Sequence, residues 1–286
     1  MSNKIILTAD STCDLNKELV ERYSVVTLPL HISLGDNMYD DWITITPDEI
    51  YDHFYKTKEL PHTAAMSVGE YTDFFQKYID EGYDVLHVSL GSSLSVTNRS
   101  ATLAAADFDG RVEVVDSCNL STGTGLIVIK AAELIEQGKS LKDAAQELRG
   151  MVNKSHASFV IDKLNFLAAG GRCSAIEAFG ANLLGLKPCI EVSTAECGKM
   201  GVNKKYRGKF EKVCIDYLND IVTKYGEVDT ARAFITHAGC NEELVENVRK
   251  ALVEKNIFDE VFVTRASCTI SSHCGPDTLG VLFMTK

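Results

Sequence analysis

The chain has 286 residues, 45% of them hydrophobic, which is enough for two domains with full cores. Its formal net charge of −11 argues against nucleic acid or an anionic membrane surface as the main partner. No apolar run approaches the roughly 20 residues that span a bilayer, so no stable membrane insertion is expected.

In chain order, Lys4–Thr8 reads as a strand, and the turn Asp10 to Asp14 leads into a helix from Leu15 to Tyr23, with Asp14 as its cap. Val25–Ile32 reads as one second strand. Thr46 followed by Pro47 and Glu49, and Ser67 followed by Glu70, are capping boxes that open helices. Strand Val85–Ser89 ends in a turn crowded with hydroxyls: Ser92, Ser93, Ser95 and Thr97. A helix over Ser100–Ala106, a strand over Arg111–Val115 and a helix over Thr124–Gln137 follow. Ser140 opens one more helix, to about Lys154. Strands alternating with helices imply a largely parallel sheet, and the change of pattern puts a domain boundary at 154/155.

From 155 to 286 the pattern becomes α+β. Strands are expected at Ser158–Ile161, Pro188–Ser193, Lys199–Lys204, Ala233–His237, Glu260–Arg265 and Gly280–Met284. Helices are expected at Ala175–Leu184, Lys209–Lys224 and Glu242–Lys255, giving a mixed sheet. The absence of Gly/Ser linkers suggests two packed domains with a cleft between them.

Several catalytic signatures are absent. There is no Gly-x-x-x-x-Gly-Lys-Ser/Thr loop, no Gly-x-Ser-x-Gly elbow and no His-Glu-x-x-His. The seven histidines do not cluster at metal-ligand spacing, and the nine cysteines form no Cys-x-x-Cys, so neither metal nor cofactor is expected. Gly123 and Gly125 lack the third glycine of a dinucleotide loop and fit close helix packing better. The odd, scattered cysteines and a start without a signal-peptide pattern point to a reduced, cytoplasmic protein. The hydroxyl-rich turn after Ser89 either caps its helix or holds a carboxylate or phosphate. Asp10, Ser11 and Asp14 form an acid cluster of phosphatase type, for which helix capping is the simpler account.

Several segments together resemble the DegV family of bacterial fatty-acid-binding proteins. They are Thr8–Leu15, Pro29–Ile32, Thr63 to Ser67, Ser92–Ala101, Val115–Ser117, Gly170–Ser174, Leu186–Pro188 and Ser272–Pro276. Their order covers essentially the whole chain. The resemblance implies a parallel α/β domain, then an α+β domain, with a long-chain fatty acid between them. The tail is buried and the carboxylate is held by hydroxyls. It further implies that the fatty acid is handed to a separate ATP-dependent fatty acid kinase, which makes an acyl phosphate for phospholipid synthesis. The protein itself would then be a carrier and not an enzyme.

Residue by residue, Ser95 matches the family serine that donates to the carboxylate, and Thr63 the threonine that opens the family's Thr-Ser-Gln-Pro-Ser loop. That loop reads Thr63-Ala-Ala-Met-Ser67 here, and Ser67 either contacts the ligand or caps its helix. His273 matches the histidine near the carboxylate. Arg172 matches the arginine of a Gly-Gly-Arg motif, which pairs with phosphate or with the kinase, or else with a helix end. Ala65, Met66, Val96 and Asn98 depart from the family pattern around the head group. Candidates for the apolar wall are Phe159, Ile161, Phe166, Leu183, Leu184 and Ile190, which are equally ordinary core residues. Two alternatives stand beside the carrier: a Ser95/His273 acyl hydrolase or transferase, and a carrier of another amphipathic lipid anion.

Overall fold

In the computed structural model, which describes residues 4–174, 176 and 185–286, the first half of the chain folds as an alternation of short strands and helices. They are β1 (Ile5–Asp10), α1 (Lys17–Arg22), β2 (Val25–Leu28), β3 (His31–Leu34), β4 (Asn37–Asp40), α2 (Pro47–Thr57), β5 (His62–Ala64), α3 (Val68–Asp80), β6 (Asp84–Ser89), α4 (Thr97–Ala105), β7 (Val112–Asp116), α5 (Ser121–Glu136) and α6 (Leu141–Met151). The second half adds β8 (Ser155–His156), β9 (Ser158–Ile161), α7 (Asn165–Gly170), β10 (Leu186–Ser193), β11 (Lys199–Arg207), α8 (Phe210–Lys224), β12 (Val228–Ala238), α9 (Glu242–Glu254), β13 (Glu260–Arg265), α10 (Cys268–Cys274) and β14 (Thr278–Thr285). The helix expected over Ala175–Leu184 lies, but for Ile176, outside the described residues.

The first sheet is parallel, in the order β2-β1-β6-β7. The second has the order β11-β10-β9-β14-β12-β13, with β8 on β14. It is mixed: β12 and β13 run parallel and the other pairs antiparallel. This is the α/β fold expected, a parallel sheet followed by a mixed one.

One strand expectation fails. Val25–Ile32 is not continuous: β2 ends at Leu28, and β3 belongs to a separate small sheet, β4-β3-β5. Pro29 has no N–H to give to a ladder. Leu30 N–H donates to Ser11 Oγ at 3.2 Å, which turns the chain out of the first sheet.

The two halves share one core. Eleven residues of α5 are buried, from Ser121 through Leu134, so this helix is apolar on nearly every side. It packs on β1 and β6 and also on β8, β12 and β14. Thr122 Oγ1 lies 2.6 Å from Thr236 Oγ1 on β12. The glycines in its first turns serve that packing: a Cβ on Gly125 would sit 2.6 Å from the Cys13 carbonyl oxygen. Along β14 the pleat sorts side chains by face. Leu279, Val281 and Phe283 pack in the core beneath α8 and α9, and Leu282 and Met284 face the core shared with the first half.

Candidate functional site

In the parallel sheet the chain order reverses beside β1: β2 lies on one flank and β6 on the other. Ligands of open α/β sheets sit beyond the carboxyl ends of strands at such a point. A cavity of about 360 Å³ occurs there. It is lined by Leu30 after β2, Leu90 and Ser92–Val96 after β6, and Leu120 and Ser121 after β7. The second sheet closes the other side with Phe159, Thr236, Thr278, Gly280 and Leu282, and α10 contributes Thr269, Ile270 and His273.

Thr63, Ser95, Arg172 and His273 all line this cavity. Thr63 on β5 and His273 on α10 are 210 residues apart in sequence and 2.8 Å apart at Oγ1 and Nε2. Burial, then the charges of Arg172 and His62, pushes His273 down to about 4, so its ring is neutral at neutral pH. A neutral imidazole has one N–H and one lone pair. Nδ1 is buried with no partner among the described residues. Leaving a lone pair orphaned there costs less than leaving an N–H orphaned. The proton therefore belongs on Nε2, donated to Thr63 Oγ1, which frees the threonine hydroxyl to donate into the cavity. Ser95 Oγ accepts the Thr97 N–H at 3.2 Å, so the hydroxyl steadies the first turn of α4 and keeps its own proton for a ligand. Arg172 donates from Nη1 to the Gly170 carbonyl at 2.7 Å and has no carboxylate partner among the described residues.

Ser67 is not among the cavity-lining residues. It caps α3 in a reciprocal box with Glu70. Asp10, Ser11 and Asp14 do not line the cavity either. Asp10 accepts from Tyr71 Oη at 2.5 Å and from Leu90 N–H at 2.8 Å, tying β1 to the loop after β6. Asp14 is not the cap of α1; Asn16 is, accepting from Leu19 N–H at 3.0 Å. Asp14 takes a left-handed conformation and reaches instead to Ser121 Oγ and Ser267 N–H. Of the apolar candidates, Phe159 lines the cavity. Ile161 and Ile190 pack in the shared core, Phe166 meets Tyr51 and Phe54 edge to face, and Leu183 and Leu184 lie outside the described residues. Ala65 faces the cavity, while Met66 is buried against the α3 side of the parallel sheet. The sequence reading missed Ser121, Thr236 and Thr269. The signal for the first two was their place just beyond or at the carboxyl end of a strand.

The Gly170–Gly171 pair has a physical cause. A Cβ on Gly170 would sit 2.6 Å from His273 Nδ1, and Gly171 has φ +64, closing α7 in the left-handed region. Gly170→Ala is expected to push the His273 ring off Thr63 and to cost about 1–3 kcal/mol of stability. Urea unfolding reads the cost, and an unchanged midpoint would contradict the close approach.

The fold and cavity together define a two-lobed α/β protein with an apolar pocket headed by hydroxyls, a guanidinium and a neutral histidine. The family model described as "Uncharacterised protein, DegV family" matches residues 4–286, and the chain belongs to that family. A DegV domain-containing protein of Clostridium perfringens is 31% identical, with 99% of each chain covered. Among solved structures, a fatty-acid-binding DegV family protein from Thermus thermophilus is 32% identical with a TM-score of 0.90, covering 99% of this chain and 100% of that one. DegV of Bacillus subtilis, a fatty acid binding protein, is 27% identical with a TM-score of 0.83, covering 100% of both chains. No helix among the described residues is long and apolar enough to cross a membrane.

Proposed function

We propose that this protein carries a long-chain fatty acid, with the tail in the apolar cavity and the carboxylate against Thr63, Ser95 and Arg172, and presents it to a separate ATP-dependent fatty acid kinase. The observation that carries the reading is the convergence of a free threonine hydroxyl, a serine hydroxyl and a guanidinium at one cavity whose apolar walls are mainly leucine and alanine. Burying about sixteen carbons at ~0.8 kcal/mol each gives roughly 12 kcal/mol before the costs of ordering and association. A buried carboxylate needs hydrogen bonds or it forfeits several kcal/mol, which these groups supply. Fatty acid binding by the Thermus and Bacillus relatives supports the same cargo.

A carrier fits the geometry better than an acyl hydrolase. His273 bonds Thr63 and not Ser95, and no carboxylate meets its Nδ1 among the described residues, so an oriented general base for Ser95 is lacking. Mass spectrometry of small molecules released on denaturation is expected to find a fatty acid at one per chain. Thr63→Ala and Ser95→Ala should each weaken fatty acid binding by about 1.5–3 kcal/mol, roughly tenfold to a hundredfold. Unchanged affinity in both variants would remove the head-group assignment, and a different extracted lipid would reassign the cargo. The kinase step is read separately: loaded protein with the host's fatty acid kinase and ATP should yield an acyl phosphate, trapped by hydroxylamine. Cargo that stays unphosphorylated would confine the role to binding.

A further inference from the structure

Seven of the nine cysteines are buried, and the two that reach the surface, Cys118 and Cys197, are neighbours although one follows β7 and the other sits between β10 and β11. With Asp116 at the end of β7 they form a tight group. One carboxylate oxygen and the two Sγ atoms all lie within 4.8 Å of one another, each side chain partly exposed. We propose that Asp116, Cys118 and Cys197 are three ligands of a soft divalent transition-metal ion, of the zinc type, with solvent in the fourth position.

The chemistry of the set selects the ion. Two thiolates and one carboxylate suit zinc and its neighbours rather than calcium or magnesium, which take oxygen ligands alone. Tetrahedral coordination at about 2.3 Å from sulfur and about 2.0 Å from oxygen needs ligand atoms under 4 Å apart. Rotation of partly exposed side chains closes that remaining distance. The carboxylate is already oriented: Oδ1 accepts from Cys118 N–H at 2.8 Å and from Ser92 N–H at 3.3 Å. Such outer hydrogen bonds hold a ligand in place for its metal.

A redox pair explains the group less well. Thiol oxidation runs through the thiolate, which a neighbouring carboxylate disfavours. A cation reverses that balance by neutralising all three ligands at once. The site also touches the cavity wall. Cys197 carbonyl oxygen accepts the Ser93 N–H at 3.1 Å, and Ser93 Oγ donates to the Glu196 carbonyl at 2.5 Å. An ion there would join the turn after β7 to the turn before β11, on either side of the loop that carries Ser95.

The test uses the full chain, washed with chelator, kept reduced and titrated with Co²⁺ without oxygen. The expected result is a thiolate-to-cobalt charge-transfer band in the near ultraviolet, complete at one equivalent and bleached by Zn²⁺. The band should be absent from the Cys118→Ser/Cys197→Ser double variant, and binding should be at least tenfold weaker in Asp116→Asn. Zn²⁺ should raise the Tm of the parent and leave that of the double variant unchanged. A circular dichroism spectrum matching the parent's confirms that the double variant is folded. No band at one equivalent, or a band that survives the double substitution, overturns the proposal. So does a chain that binds no metal when reduced and forms a Cys118–Cys197 disulfide on mild peroxide treatment, which would make the pair a redox couple.

Discussion

Asp41→Ala is expected to cost about 3–5 kcal/mol of folding stability and, with it, most of the fatty acid affinity. Asp41 is buried in the first half of the chain, just past β4. Its Oδ1 accepts the Cys268 N–H at 2.8 Å. Its Oδ2 accepts Ser11 Oγ at 2.9 Å, Thr269 N–H at 3.2 Å and Thr269 Oγ1 at 2.8 Å. One carboxylate thus ties the turn after β1 to the first turn of α10. Alanine leaves several buried donors without an acceptor, and water has no easy access to them. The loss reaches the cavity because His273 lies on α10, five residues beyond Cys268, and its bond to Thr63 depends on where that helix sits. Asp41→Asn keeps a carbonyl acceptor and should cost less than alanine. Urea midpoints for the two variants, with fatty acid titrations on each, decide the matter. A shift below about 1 kcal/mol for alanine would mean that α10 is held by packing alone.

The same helix shows where sequence reasoning stops. The alternation of strands and helices was legible because many of the elements bury one face and expose the other, and capping boxes at Thr46 and Ser67 marked two helix starts correctly. α10 was not legible. Its seven residues, Cys268 to Cys274, are mostly serine, threonine and cysteine, poor helix formers with no apolar stripe. It stands because Asp41 and Asp14, more than 220 residues earlier, accept the N–H groups of its start. The small sheet of β3, β4 and β5 was missed for a related reason: strands of three or four residues are too short to show a period. Thr63 and His273 were singled out only through their resemblance to family motifs, since nothing local brings positions 210 apart into contact. Asp14 was read as a cap because acids often are; its left-handed backbone gives that role to Asn16 and turns its carboxylate inward.

Asp14→Asn is expected to become more stable relative to the parent as pH rises, by about 4 kcal/mol between pH 4 and pH 8. Burial pushes the Asp14 carboxyl up to about 7 from 3.8, against the lowering effect of its bonds to Ser121 and Ser267. The folded chain therefore keeps a proton that the unfolded chain releases over that range. For a group raised on folding, the stabilising contribution is complete below pH 3.8 and is lost as pH climbs through about 7. Asparagine removes the titration and keeps the geometry: its carbonyl still accepts Ser267 N–H, now at 2.9 Å, and its amide can donate to Ser121 Oγ, now 2.6 Å away. Two histidines work in the opposite sense. His237 and His273 are pushed down to about 4 by burial, so their contribution is complete above pH 6.5 and is lost as pH falls through about 4. Both proteins carry those histidines, so the parent-minus-variant difference isolates Asp14. Denaturant unfolding of the two proteins at several pH values measures it. A difference that stays flat from pH 4 to pH 8 would mean that Asp14 remains ionised in the fold, with Ser121 and Ser267 compensating its burial in full.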